Sequence, residues 1–225
     1  MDYVMKSLKN GELMSWFLQE EPKKTTLIQK KYLVSGGVFH HNTNVIGKYL
    51  VGYLEFNMDT GPLLAGSSVK KIFLDTEMNY SDWDIFCSSK DQYISICEKL
   101  KNLTEVDTYT TTTNAISFKL NINSTDSHTV QVINRATFNS ADELLNSFDF
   151  TVCQFITDGH SFKIGDKTLH DERTKSIRLV TDEIRDTFIA RLTKYISYGY
   201  TPCKELYQKI NQPNSITNWE ASNDY

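Results

Sequence analysis

The chain has 225 residues, of which 40% are hydrophobic and 12% aromatic, and carries a formal net charge of −4. That length can bury a real core in one domain or two small ones, and no apolar run reaches the roughly 18 residues that span a bilayer. The acidic balance argues against a large, sequence-blind nucleic-acid binder, which needs a strong basic field, but leaves room for a local basic groove.

The N-terminal stretch MDYVMKSLKNGELMSWF lacks the charged start and apolar middle of a signal peptide, so the expected location is the cytoplasm. The cysteines Cys87, Cys97, Cys153 and Cys203 are far apart and form no C-x-x-C pair. They are expected to be reduced thiols, mostly in the core, and neither a zinc site nor a redox motif.

Residues 3–20 place Val4, Leu8, Leu13 and Phe17 at roughly helical spacing, and EEPKK breaks the pattern at Pro22. Residues 26–53 are mixed, with SGGVFHHNTN as a loop. In GPLLAGSS a strand leads into a small-residue turn, and VKKIFL continues as a helix with Val69, Ile72 and Phe73 on one face. SDWDIFC, residues 81–87, reads as a strand. Ile94, Cys97 and Leu100 then recur at i, i+3 and i+6, which predicts a helix over 90–102.

The block from 108 to 133 is rich in Thr, Ile, Val and Phe, and AISFKL and TVQVI should pair as a hairpin around NSTDS. The threonine run is expected to be an edge strand or loop. NSADELLNSF carries a capping box, with Ser140 as N-cap and Glu143 three residues later. DFTVCQFI, 149–156, reads as a further strand, followed by a turn and a short strand in TDGHSFKIGDKTL. Ile184, Phe188, Leu192, Tyr195 and Ile196 predict an amphipathic helix to about Tyr198, and PCKELYQKI a second one. The expected organisation is an N-terminal helical region (1–60), an α/β core (61–170), C-terminal helices (171–210) and a polar flexible tail (211–225).

The chemistry concentrates in GSSVKKIFLDTEMNYSDWDIF, residues 66–86. Strand alternation puts Asp82 and Asp84 on one face, with Trp83 and Ile85 on the other. Their Cα atoms should lie roughly 6–7 Å apart at ~3.3 Å rise per residue. Two carboxylates so placed repel, and one tends to keep a proton. A divalent cation removes the conflict, and Mg²⁺ commonly takes one or two carboxylates together with substrate phosphate oxygens. The Gly66 turn before a helix, with the Ser67 or Ser68 hydroxyl, suits a triphosphate. Two other motifs carry no such pattern. His40 and His41 have no acid or cysteine nearby at ligand spacing, and VIGKY lacks the earlier glycine of a Walker A loop, having Asn42 there.

A strand, a Gly-Ser turn, a helix and an apolar-Asp-apolar-Asp-apolar strand resemble the active-site signature of the polymerase β-like nucleotidyltransferase superfamily. VQVINRATFNSADELLNSFDFTVCQF, 130–155, followed by RLTKYISYGY, 191–200, resembles a divergent branch found in phages and large DNA viruses. The resemblance covers roughly residues 63–200 and implies an α+β fold, with a nucleotidyltransferase-like mixed sheet flanked by N-terminal and C-terminal helices. It further implies an NTP substrate held by Gly66, Ser67 and Ser68, Mg²⁺ or Mn²⁺ on Asp82 and Asp84, and triphosphate contacts from Arg191 and Lys194.

The third acidic position of the signature has two candidates. Asp149 in SFDF would complete a metal-binding and catalytic set with Asp82 and Asp84. Gln131, in the strand expected beside them, would leave that role empty. The implied activity is transfer of a nucleoside monophosphate from an NTP to a hydroxyl, on an RNA 3′ end such as tRNA or on a protein side chain. The competing reading is a catalytically inactive nucleotide-binding or interaction protein of the same fold. A viral member would act in the host cytoplasm, with no membrane partner.

Overall fold

The structure, a computed structural model, describes residues 30–33, 45–74, 76, 82–121, 127–181 and 187–210. The expected helix over 3–20, the loop SGGVFHHNTN, most of the NSTDS turn and the C-terminal tail lie outside the described residues. Ten strands are described: β1 (Lys30–Leu33), β2 (Leu63–Ala65), β3 (Trp83–Phe86), β4 (Val106–Thr111), β5 (Ala115–Asn121), β6 (Ser127–Ile133), β7 (Phe155–Thr157), β8 (Ser161–Ile164), β9 (Ser176–Ile177) and β10 (Thr201–Pro202). The helices are α1 (Val45–Leu54), α2 (Ser67–Phe73), α3 (Lys90–Lys101), α4 (Ala141–Asn146), α5 (Thr168–Thr174), α6 (Phe188–Ser197) and α7 (Lys204–Ile210).

Eight strands form one mixed sheet in the order β1-β8-β7-β2-β3-β6-β5-β4, and β9 pairs with β10 apart from it. Only β3 and β6 run parallel in the large sheet; its other pairings are antiparallel. Parallel strands need a crossover, and α3 with the β4–β5 hairpin supplies it. The expected hairpin forms, with Phe118 opposite Val130, and the threonine run is the edge strand β4. The α+β class and its mixed sheet therefore stand as the sequence implied.

Alternation sorts the two sheet faces. Trp83 and Ile85 of β3, Val130 and Val132 of β6, and Phe118 and Leu120 of β5 enter one buried cluster with α1, α2 and α3. Leu63, Ala65 and Ile156 pack the opposite face against Ala141, Leu144 and Leu145 of α4, with Phe86 alongside. A third cluster joins Phe150, Val152, Ile177, Phe188, Leu192, Tyr200 and Leu206, and anchors α6 and α7. Each fully buried aliphatic or aromatic side chain contributes about 1.5–3 kcal/mol against exposure, so these clusters determine which helix faces turn inward.

Several expected details differ. The buried stripe of α3 is Tyr93, Ile96, Cys97 and Leu100, and Ile94 is exposed. On α6, Phe188 and Leu192 are buried but Ile196 is exposed. Residues 149–156 are not a continuous strand: Thr151–Cys153 make a 3-10 turn and only Phe155 onward joins the sheet. The cause is polar. Thr151 donates its hydroxyl to buried Asp171 at 2.6 Å, and its amide bonds the Arg178 carbonyl at 3.0 Å, which pulls the chain off the sheet. The α4 capping box is displaced by one residue at one end. Ser140 accepts from the Glu143 amide at 3.1 Å, while the Glu143 carboxylate accepts from the Asn139 amide at 2.9 Å. Among the described residues, no helix is long and apolar enough to cross a membrane.

Candidate active site

The site is built where β2 ends, α2 begins and β3 passes beside them. Gly66 joins β2 to α2 with φ +87° and ψ −148°, a conformation essentially restricted to glycine. Its amide donates to the Phe155 carbonyl at 3.1 Å, which ties the turn to β7. A Cβ at this position would stand 3.1 Å from Asp84 Oδ2. The absent side chain is therefore what lets the Asp84 carboxylate lie against the turn. The amides of residues 67–69 have no partner within the helix ladder, as at any helix start.

Of the two serines, Ser67 is exposed, whereas Ser68 is fully buried, with no hydrogen-bond partner for its hydroxyl among the described residues. Ser68 is thus turned into the core beside Val69.

Asp84 sits mid-strand, opposite Ala65 on one side and Gln131 on the other. The same cross-sheet row continues through Ser117 to Thr110. Cross-strand partners share a face, so Gln131 is the side chain beside the acid pair. Its Nε2 lies 3.4 Å from Asp82 Oδ2. Asp82 is exposed just before the strand, and Asp84 is half-buried. Burial, aided by the neighbouring Asp82 charge, pushes the Asp84 carboxyl up to about 7, against the opposing influence of Lys194 and Arg191. These two cations therefore lie within electrostatic reach of Asp84, on α6, a helix from a different hydrophobic cluster.

Asp149 is held by an ion pair. Its buried carboxylate accepts from Arg191 Nη1 at 2.6 Å. Among the described residues, no three His, Cys, Asp or Glu side chains form a group that could hold a metal ion. Asp149, the third member expected beside Asp82 and Asp84, is engaged by Arg191 of α6. The parallel register gives the neighbouring position to Gln131 instead.

Lys70 is committed to an ion pair of its own. It pairs with Glu172 and donates to Tyr200 Oη, both at 2.5 Å, linking α2 to α5 and to the segment after α6. Burial disfavours the Glu172 charge, but Lys70 and Lys175 outweigh it and hold the carboxyl below its usual range. Tyr195 packs edge-on against Phe150 and Tyr200, so it belongs to the core. No sequence signal marked the Lys70–Glu172–Tyr200 cluster, since its members come from three separate elements.

The two carboxylates fit a divalent cation. They are close enough to repel, one is driven toward neutrality by burial and by the other's charge, and the octahedral preference of Mg²⁺ would leave its other positions to water and phosphate oxygens.

Comparisons with known proteins agree with this architecture. A structure of a CCA-adding enzyme with CTP superposes with a TM-score of 0.57 at 14% identity, over 80% of this chain and 44% of that one. The Thermotoga maritima CCA-adding enzyme complexed with tRNA superposes at 0.54 and 13% identity, over 80% and 45%. At such identity the likeness establishes the fold alone. The protein Gabija anti-defense 2 of Bacillus phage SPbetaL7 is 28% identical over 171 residues, or 73% of this chain and 39% of that protein. The chain thus matches about two fifths of its curated relative's length. The family model described as Gabija anti-defense 2 family protein matches residues 8–175, so the chain belongs to that family and carries its nucleotidyltransferase-like fold.

Proposed function

We propose that this protein binds an NTP with a divalent cation and transfers the nucleoside monophosphate to a hydroxyl acceptor, as its part in countering Gabija defence. The supporting observation is the crowded Asp82–Asp84 pair against the side-chain-free Gly66 turn, faced by Arg191 and Lys194. In the step proposed, the acceptor oxygen forms a bond to the α-phosphorus, the bond to the β-phosphate oxygen breaks, pyrophosphate leaves, and the hydroxyl proton passes to solvent. Gly66 and Ser67 bound the phosphate side of the site, and Asp82 and Asp84 hold the cation. Arg191 and Lys194 neutralise the charge that grows on the leaving pyrophosphate. Bound Mg²⁺ or Mn²⁺ would supply Lewis-acid polarisation of the phosphoryl oxygens. The acceptor class is an RNA 3′ end or a protein side chain belonging to the defence system.

A specific observation favours a second reading. Gln131 beside Asp84 cannot accept a proton from the acceptor, which suits a protein that binds a nucleotide without transferring it. Incubation with Mg²⁺ or Mn²⁺ and each α-labelled NTP, offering total RNA and host protein, separates the two. Label in one fraction, lost in Asp84→Asn, is the result expected of an enzyme. Absence of label from the wild type, with transfer appearing in Gln131→Glu, would establish the binding protein and overturn the enzyme.

A further inference from the structure

Resting on the nucleotide reading above, we infer that Asp149 is a positioning residue that holds the Arg191 guanidinium toward the triphosphate, and not a metal ligand. The geometry is asymmetric. The Asp149 side chain is 7% exposed and Arg191 is 45% exposed, so the anchor is buried and the guanidinium faces outward. Asp149 directly precedes Phe150, whose ring is fully buried and packs on Phe188 of α6, so the carboxylate sits on a rigid support. A second tie holds the same region: Val180 donates its amide to the Asp149 carbonyl at 3.0 Å. Arg191 Nη1 is held on the Asp149 carboxylate at 2.6 Å. A guanidinium has five N–H donors in a fixed fork, so orienting one edge orients the other. Lys194, one turn further on, also acts on Asp84 and presents its ammonium on the same helix face. The anchor thus fixes a cation opposite the acid pair, with the phosphate chain as the natural occupant between them.

The test is a double-mutant cycle with Asp149→Asn and Arg191→Gln on the full chain. Its readouts are affinity for each Mg²⁺–NTP, affinity for the matching monophosphate, and affinity for Mn²⁺ alone. A charge-assisted bond to phosphate is roughly twice as strong as a neutral one, so each single variant should weaken NTP binding by about tenfold and leave the monophosphate within about twofold. The double variant should be no weaker than Arg191→Gln alone, and Asp149→Glu should recover most of the loss. Mn²⁺ affinity should stay level throughout.

Additive losses, or a fall in Mn²⁺ affinity in Asp149→Asn, would overturn the inference while leaving nucleotide binding intact. If Asp149→Asn does not fold, Arg191→Gln alone decides. An Asp149 that serves as a metal ligand would then be released and raise Mn²⁺ affinity, whereas a positioning residue leaves it unchanged. A wild-type protein that binds no NTP would instead remove the nucleotide reading itself, and the inference with it.

Discussion

Asp84→Asn should stabilise the protein while abolishing the proposed nucleotidyl transfer. An ordinary aspartate ionises near pH 3.9, and Asp84 is pushed up to about 7 by burial and by Asp82. Each pKa unit is worth 1.36 kcal/mol, so ionising this group in the folded protein costs about 4 kcal/mol. Its side chain keeps partial contact with water, which screens the charge and brings the figure to about 2–4 kcal/mol. Below pH 4 both folded and unfolded chains hold the proton and nothing is lost. Between about 4 and 7 the unfolded carboxyl ionises and the folded one does not, so stability falls as pH rises. Above 7 both are ionised and the penalty stays constant. Asparagine has the same shape and no charge. It should therefore leave the melting temperature nearly level with wild type at pH 4.5, and raise it by roughly 5–15 °C at pH 8.5 for a chain of this size. Thermal melts in EDTA at half-unit steps from pH 4.5 to 8.5 measure the gap. Adding Mn²⁺ at pH 8.5 should close it by stabilising only the wild type. A gap that does not widen with pH would refute the placement of Asp84 in a buried site crowded by Asp82.

Two further substitutions probe the frame of the site. Gly66→Ala forces a side chain into a glycine-only conformation and to within 3.1 Å of Asp84 Oδ2. It should cost about 1–3 kcal/mol in chemical denaturation and weaken Mn²⁺ and NTP binding together; unchanged binding would remove the turn from the site. Lys70→Met removes one of the two lysines on buried Glu172. With Lys175 and Tyr200 still bonded to that carboxylate, the loss should be about 1–3 kcal/mol, below the 3–5 kcal/mol of a wholly unpaired buried charge. A loss under about 0.5 kcal/mol would show that the pair does not tie α2 to the C-terminal helices.

What was legible in the sequence follows from the range of each interaction. Strand alternation in SDWDIF gave Trp83 and Ile85 to the core, because facing is set by neighbours along the chain. The glycine requirement at Gly66 and the hairpin of β5 and β6 were equally local. Other features were not local. The polar segment TLHDERT forms α5 because Thr168, Asp171 and Glu172 are buried by partners that periodicity does not reveal. Ile94 is exposed and Tyr93 buried because α3 meets the sheet along a line rotated by one residue from the one its apolar spacing suggested. The fate of Asp149 rested on Arg191, 42 positions away, and that of the third acidic position on the parallel register of β3 and β6. Residue type offered both Asp149 and Gln131; only pairing across the sheet distinguishes them.

The site joins two halves of different origin. The sheet contributes negative charge and a turn without a side chain, both supported by the cluster beneath β2, β3 and α2. The positive charge comes from α6, which packs in the separate cluster around Phe150 and Phe188. Neither half would hold a triphosphate well alone: acids without cations repel it, and cations without a metal site leave its α-phosphate unplaced. Lys70 of α2 ties the halves together through Glu172 and through Tyr200 of the α6 cluster, and the Asp149–Arg191 pair fixes the cation within that cluster. The segment matched by the family model, 8–175, contains Gly66, Asp82, Asp84, Asp149 and Glu172 but ends before α6. Asp149 is therefore within the family's matched region, while Arg191, the cation it holds, lies beyond it. A buried carboxylate such as Asp149 is costly without a partner, and in this chain Arg191 provides it from outside the matched region.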